Sequence, residues 1–364
     1  MITLFCIRPK GFNVGNDAIF LGMQTFLHAA FGEVVNVITL PATSRYESHA
    51  KAGLTAQTIY DINLYGDGVV IGGGNLYENG ELQVDLNALS ALEVPMMLFS
   101  LSRGRVYNRR NELVDRTNVM PDSVTRAINA KAQISLARDI CTHNYLQQIG
   151  IEHVHVGGCP TIFLDRVGNR FPHLPVEEDS GVLISLRNPA LMSIPLQKQA
   201  NVRQHISEIV TFLRSEGHNN VRLLCHDHRD IPFAASFTNI EFIYLDDVYT
   251  YLALLKKCRL NITYRLHSAL PCLSFGRPMI KISYDERAVS LMQTIGYGDW
   301  NIDMVQNDDV LGHVRDRYRR LDELPILKER NQSLWRSLDN SMSNSFCEFA
   351  NLVRTYRKAT GVQQ

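Results

Sequence analysis

Along this chain, short apolar runs alternate with longer segments whose apolar residues recur at helical spacing. In the first half, Thr3–Ile7, Val34–Leu40, Gly68–Ile71, Met96–Ser100, Gln133–Leu136 and His153–Val156 read as strands. Asp17–Phe31, Asp85–Leu92, Asp122–Ala130 and Asp139–Ile149 read as the helices between them. Such alternation predicts βαβ units and a mostly parallel sheet. From Pro160 to Asp179 the pattern breaks, with Pro172, Pro175 and a short acidic run, and this stretch is the expected linker. A second series follows, with strands at Gly181–Leu186, Val221–Cys225 and Ile240–Tyr244 and helices at Gln199–Glu216 and Val248–Lys257. From about Asp308 the chain is rich in helical pattern, with Leu327–Ser337 and Ser343–Ala359 polar on one face and able to pack back across both halves.

The expectation is an α/β protein of two Rossmann-like domains facing a cleft, residues 1–172 and 173–364, with a helix-rich C-terminus. That is a GT-B-like arrangement, and it does not choose a reaction. Of the 364 residues, 45% are hydrophobic and 20% charged, ample for buried cores. Lys+Arg and Asp+Glu both number 37, so nothing global calls for nucleic acid or a polybasic membrane surface, and any anion site must be local. The seven cysteines are odd in number and irregularly spaced, unlike a disulfide framework, and fit a reducing compartment. Met1–Ile7 lacks a basic leader and reads as a first strand. With no apolar run long enough for a bilayer, the expected location is cytoplasmic, reaching the inner membrane face only through a substrate.

The chemistry concentrates at strand ends. Ile262–Leu270 contains Arg265 and His267, two apart where an apolar run stops. If still in strand geometry, they project to one side, toward the ligand crevice. A guanidinium beside an imidazole suits a small, multiply charged anion and a proton transfer. Arg187, after Ser185-Leu186, would point into the same crevice. Asn13, Gly15, Asn16 and Asp17 form a turn entering a helix, and Gly72, Gly73, Gly74 and Asn75 follow a buried strand. Glycines there would let backbone N–H groups approach a ligand, or else simply serve tight turns. The loop Cys225-His226-Asp227-His228-Arg229-Asp230 could suggest a metal, but lacks a recognised ligand spacing. A substrate-facing role for His226 or His228 on sugar hydroxyls is preferred, and no metal is expected. In Ala137-Arg138-Asp139, Asp139 reads as a helix cap and Arg138 is left open. The basic run Arg103-Gly104-Arg105 to Arg109-Arg110 would receive a phosphate-bearing acceptor or be a solvated loop.

Taken in order, these pieces resemble the polysaccharide pyruvyl transferase family. The resemblance rests on Asn13–Ala18, Ile71–Leu76, Ala137–Asp139 with Gly150-Ile151, and Gly158–Thr161, and continues through Ser185–Arg187, Arg265–His267 and Gly276–Pro278 to Tyr284-Asp285. Gly158-Cys159-Pro160 departs from an Asp-Pro pair common in the family, and Arg287 stands near a frequent Lys. The resemblance implies a GT-B-like fold and transfer of pyruvate from phosphoenolpyruvate to a sugar, normally as a cyclic ketal with release of phosphate. It also implies that Arg265 and His267 belong to the donor site. On that footing Arg265 and Arg187 hold the donor's anionic groups and His267 is the general acid, favoured in its charged form by the anion. Asp17 or Asp285 would be the base, and the glycine loops would orient the acceptor. The first domain takes the acceptor side and the second the donor side. The expected partners are phosphoenolpyruvate and a glycan or a lipid- or nucleotide-linked sugar, with no cofactor. Two rivals are a GT-B glycosyltransferase using a nucleotide sugar and a non-catalytic glycan-binding protein on the same fold.

Overall fold

A computed structural model describes residues 1–11, 13–45, 51–78, 80–175 and 181–361, the side chain of residue 169 excepted. The first half contains strands β1 (Ile2–Arg8), β2 (Val35–Pro41), β3 (Gly68–Gly74) and β4 (Met96–Leu101), a small hairpin β5 (Val106–Tyr107) and β6 (Leu113–Val114), then β7 (Ile134–Ala137) and β8 (Val154–Val156). Its helices are α1 (Val14–Phe31), α2 (Ala56–Tyr65), α3 (Leu86–Ser90), α4 (Asp122–Lys131) and α5 (Ile140–Gln148). The second half contains β9 (Val182–Ser185), β10 (Val221–Cys225), β11 (Phe242–Tyr244), β12 (Leu260–Thr263), β13 (Met279–Ser283) and β14 (Asn301–Asp303). Its helices are α6 (Leu196–Ser215), α7 (Ile231–Ala235), α8 (Val248–Lys257), α9 (Leu266–Ser274), α10 (Glu286–Thr294), α11 (Val310–Arg319), α12 (Glu323–Arg330) and α13 (Gln332–Thr360). Two six-stranded sheets result, ordered β2-β1-β3-β4-β7-β8 and β11-β10-β9-β12-β13-β14. Every strand pairing within them is parallel.

Because strand side chains alternate, each sheet divides its apolar residues between two cores. Phe5, Ile7, Val69, Ile71, Met96 and Leu98 pack on one face of the first sheet, with Ile59 and Ile62 of α2 and Ile128 of α4. Leu4, Cys6, Val70, Met97 and Phe99 pack on the other, in a cluster that also holds residues of α1, α8, α9 and α13. Leu183, Leu224 and Met279 of the second sheet join the same cluster, so one core runs beneath both halves. That continuity fixes the two sets of strand ends against each other. α13 binds both halves: Trp335 Nε1 donates to the Ile295 carbonyl at 2.9 Å, and Arg354 Nη2 donates to the Phe31 carbonyl at 2.6 Å. Phe346 lies against Phe26 and Phe99, and Phe349 against Phe31.

Several expectations are corrected. The first part of the expected linker, Pro160–Arg170, is a run of 3₁₀ turns with Ile162, Phe163 and Leu164 buried in the shared core. Residues 176–179 of that linker lie outside the described residues. The hairpin β5–β6 escaped prediction because two-residue strands leave no periodic signal. Its approach defines the basic run: Arg105 Nε donates to Glu286 Oε1 at 2.9 Å, and Tyr107 Oη donates to Asp303 while its ring joins the second half's core. Arg103 stacks on Tyr145 and pairs with Asp115. Arg103 and Arg105 therefore contribute to packing within and between the halves. α2 was missed because Tyr60, Leu64 and Tyr65 are exposed, blurring the apolar stripe.

The glycine run at the end of β3 has a packing cause. A Cβ on Gly73 would sit 2.3 Å from Ile19 Cγ2, and one on Gly72 would sit 3.1 Å from Met23 Sδ. Both glycines admit α1 against the sheet, and Gly73 is further fixed by φ of +70°. Gly73→Ala combines left-handed backbone strain with a clash, and is expected to destabilise the fold by roughly 2–4 kcal/mol in chemical denaturation. Unchanged stability would refute this account of the run.

Candidate functional site

The carboxyl ends of the strands in both sheets border one cavity of about 520 Å³. Lys10 and Asn13 follow β1, Gly74 and Asn75 close β3, and Arg138 follows β7. From the other half, Arg187 follows β9, His226 follows β10, Tyr264, Arg265 and His267 follow β12, and Tyr284, Asp285 and Arg287 follow β13. Among the described residues, seven arginines and Lys10 line the cavity, against Glu81 and Asp285. A chain of zero net charge thus gathers a local excess of cations where parallel sheets bind ligands.

Acidic residues behind the lining hold several of these cations. Arg265 caps the start of α9, is buried, and donates Nε to the Leu186 carbonyl at 3.0 Å and Nη2 to Asp230. Arg187 Nη1 donates to Asp227 Oδ2 at 3.0 Å and lies 3.7 Å from Asp230. Asp227 also receives Arg229. Burial alone would raise the Asp227 carboxyl, yet the hydrogen bonds from Arg229 and the charges of Arg265 and Arg187 hold it well below the usual range. Both aspartates of the loop after β10 are therefore committed to guanidinium groups.

Arg138 differs. It is buried, borders the cavity, and has no carboxylate within ion-pair distance among the described residues. Its Nε has no hydrogen-bond partner. The same is true of Arg187 Nε, Tyr264 Oη and His267 Nε2, all on residues bordering this cavity. Buried polar atoms are nearly always satisfied, so four unpartnered atoms in the wall of one cavity mark a locally costly arrangement.

His267 and Arg265 do not share a strand face. β12 ends at Thr263, and the chain turns so that Arg265 caps α9 and His267 lies in its first turn. The turn, not strand alternation, brings both to the cavity. Gly15, at the start of α1, packs against His267: a Cβ there would lie 2.9 Å from His267 Cβ and 3.1 Å from Nδ1. Asn13 caps α1 by accepting from Gly15 N at 3.0 Å. Burial, then the charges of Arg138, Arg265 and Arg287, lower the imidazole to about 3. Burial and these charges therefore favour the neutral ring in the unliganded protein, while the charged form was expected beside a bound anion.

The profile of the polysaccharide pyruvyl transferase family matches residues 13–286. The chain belongs to this family. No curated protein matches it. Among solved structures it is similar to the S. aureus MnaA–UDP co-structure, at 15% identity and TM-score 0.53, covering 100% of this chain and 97% of that one. It is also similar to a Methanocaldococcus jannaschii UDP-GlcNAc 2-epimerase in complex with UDP-GlcNAc and UDP, at 13% identity and TM-score 0.51, covering 83% and 88%. A Neisseria meningitidis UDP-GlcNAc 2-epimerase bound to UDP-GlcNAc follows at 12% identity and TM-score 0.50, covering 100% and 99%. These likenesses show the fold, which is GT-B-like.

In this pyruvyl transferase family member, Arg187, His226, Arg265, His267, Asn13, Asn16, Gly74, Asn75 and Asp285 all border the cavity. Gly72 and Gly73 do not, for the packing reason given above. Asp17 is not among the lining residues and pairs with Arg8 at 2.8 Å. Asp285 caps α10 through Ala288 N at 3.0 Å and binds Arg287. Burial opposes its charge, but Arg287 keeps its carboxyl low. Neither acid is poised as a base. Arg287 also bridges the halves, its Nη1 lying 3.2 Å from the buried Glu78. Arg138, Tyr264 and Tyr251 were not assigned from the sequence; Arg138 alone had a signal, directly after a strand and before a helix cap.

A lowered imidazole binds its proton more readily unfolded than folded, so its contribution is present above the unfolded value near 6.5 and is lost as pH falls toward 3. Melting temperature should therefore fall below about pH 6.5, and less steeply in His267→Gln. Identical acid limbs in the two proteins would contradict a neutral buried His267.

Proposed function

We propose that this protein transfers pyruvate from phosphoenolpyruvate to hydroxyls of a sugar in a polysaccharide or its precursor, forming a ketal and releasing phosphate. Membership of the family supports the reaction class. The observation that carries the donor is Arg138, a buried guanidinium with no acid partner among the described residues, beside the Arg265 and His267 group. A phosphate and a carboxylate on one three-carbon unit bring close to three negative charges, about what such a cluster needs. Arg138, Arg187 and Arg265 all border the cavity and bring guanidinium charge to these groups.

Donor binding also resolves the state of His267. The arginines that keep the ring neutral are offset by the anion, so the ring takes up a proton as the donor arrives. It then donates that proton to the methylene carbon of phosphoenolpyruvate, making the adjacent carbon electrophilic. A sugar hydroxyl attacks that carbon, and a second hydroxyl closes the ketal. These steps call on no metal or redox cofactor. The acceptor enters the same cavity, where Asn16 and Asn75 border it with side-chain amides suited to hydroxyl groups. Among the described residues no helix is long and apolar enough to cross a membrane, so a lipid-carried acceptor would be met at a membrane surface.

Calorimetric titration with phosphoenolpyruvate, with UDP as control, tests the donor. Arg138→Ala is the informative variant, because Arg138 makes no direct ion pair among the described residues and acts on the buried Asp139 and Glu78 only as a nearby charge. Its affinity should fall at least about 30-fold, the low end for a buried charge-assisted contact. Equal affinity in the variant, or binding of UDP alone, would overturn the reading in favour of a nucleotide-sugar donor. At pH 7.5, titrations in buffers of different ionisation enthalpy should detect proton uptake in wild type and none in His267→Gln. Binding should accordingly weaken as pH rises through the liganded pKa of His267.

A further inference from the structure

Tyr251 of α8 lies fully buried beneath the site. Its Oη donates to the His267 backbone carbonyl at 2.8 Å, and its one proton is spent there. The same oxygen lies 3.0 Å from His226 Nδ1 and can only accept from it. This arrangement fixes the His226 tautomer, with hydrogen on Nδ1 and a bare Nε2. Among the described residues Nε2 has no hydrogen-bond partner, is not one of the sealed orphan atoms, and belongs to a ring bordering the cavity. The backbone is pinned as well: the His226 carbonyl accepts from Val14 N at 3.0 Å, and Asn13 bridges to Asp227.

We propose that His226, oriented by Tyr251, is the proton acceptor for the attacking sugar hydroxyl. The proposal rests on the pyruvyl transfer reading and completes its proton accounting. His267 gives a proton to C3 of the donor, and the C2–C3 π pair becomes the new C–H bond. The first hydroxyl oxygen bonds to C2, and its proton passes to His226 Nε2. The C2–O bond to phosphate then breaks, the electron pair leaves with phosphate, and His226 returns its proton to that oxygen. The second hydroxyl bonds to C2 and its proton restores His267. Two hydroxyl protons enter; one ends on the new methyl group and one on phosphate.

The groups facing His226 set the order of events. Its charging is opposed by burial and by Arg265, His267 and Arg187, and favoured by Asp227. A bare cavity therefore keeps the ring neutral but a weak base. The bound donor offsets the arginine charges and strengthens it, so the acceptor is activated only once the donor is in place.

Full-length protein labelled with ¹⁵N-histidine reads the ring state directly. The signals absent in His226→Gln should belong to a ring protonated at Nδ1 and bare at Nε2, unchanged from pH 8 down to pH 5. Tyr251→Phe should shift those signals toward a mixture of tautomers, which a merely structural tyrosine would not do. His226→Gln should keep phosphoenolpyruvate affinity within threefold, while phosphate release with water as nucleophile falls about a hundredfold or more. A ring protonated at Nε2, or release at the wild-type rate in His226→Gln, would overturn the proposal. Failure of phosphoenolpyruvate to bind the wild type would instead overturn the donor reading, and the ring state is measured without donor.

Discussion

Crowding guanidinium groups into one dry cleft is costly, and the rest of this structure is arranged around meeting that cost. Each buried cation loses hydration worth several kcal/mol and repels its neighbours. Asp227 and Asp230, held by the short loop after β10, offset Arg187, Arg229 and Arg265 from behind. Glu78 offsets Arg116 within its own half and Arg287 across the seam, and Asp285 takes Arg287 from its own half. Arg138 makes no direct ion pair among the described residues, its charge acting only at a distance on Asp139 and Glu78. The acids hold the arginines in shape without neutralising the cavity, and the residual charge is available to an anion.

Much of the fold could be read directly because parallel sheets impose a simple code. Strands buried on both faces are continuous apolar runs, and Val221–Cys225 and Val248–Lys257 emerge with the predicted bounds. Elements whose stability comes from partners far along the chain could not be read this way. The hairpin β5–β6 exists because Tyr107 docks in the other half's core, and Pro160–Arg170 is wedged between elements it does not adjoin in sequence. Proline and short acidic runs look like a linker until tertiary packing claims the residues beside them.

The site was legible to the extent that residue type announces chemistry. Arg265, His267 and Arg187 stand out as charged residues interrupting apolar runs, and the structure brings all three to one cavity. Their ionisation could not be read, because it depends on neighbours contributed by five separate strand ends. The glycine run after Val70-Ile71 was over-read: two of its three members answer to Ile19 and Met23 of α1. Arg138 was under-read because an arginine beside an aspartate in sequence suggests a local pair, whereas Asp139 turns away to bind Thr142 and Ser290.

The packing of α13 bears on how the molecule is made. Phe26, Phe31 and Phe99 belong to the first half, yet their aromatic partners Phe346 and Phe349 are among the later residues to be synthesised. On a ribosome, the first sheet and α1 can pair early, but Phe26, Phe31 and Phe99 lack their aromatic cover until α13 emerges. The order of synthesis thus runs against the order of completion, and the nascent first half is a natural client for a chaperone that shields aromatic surface.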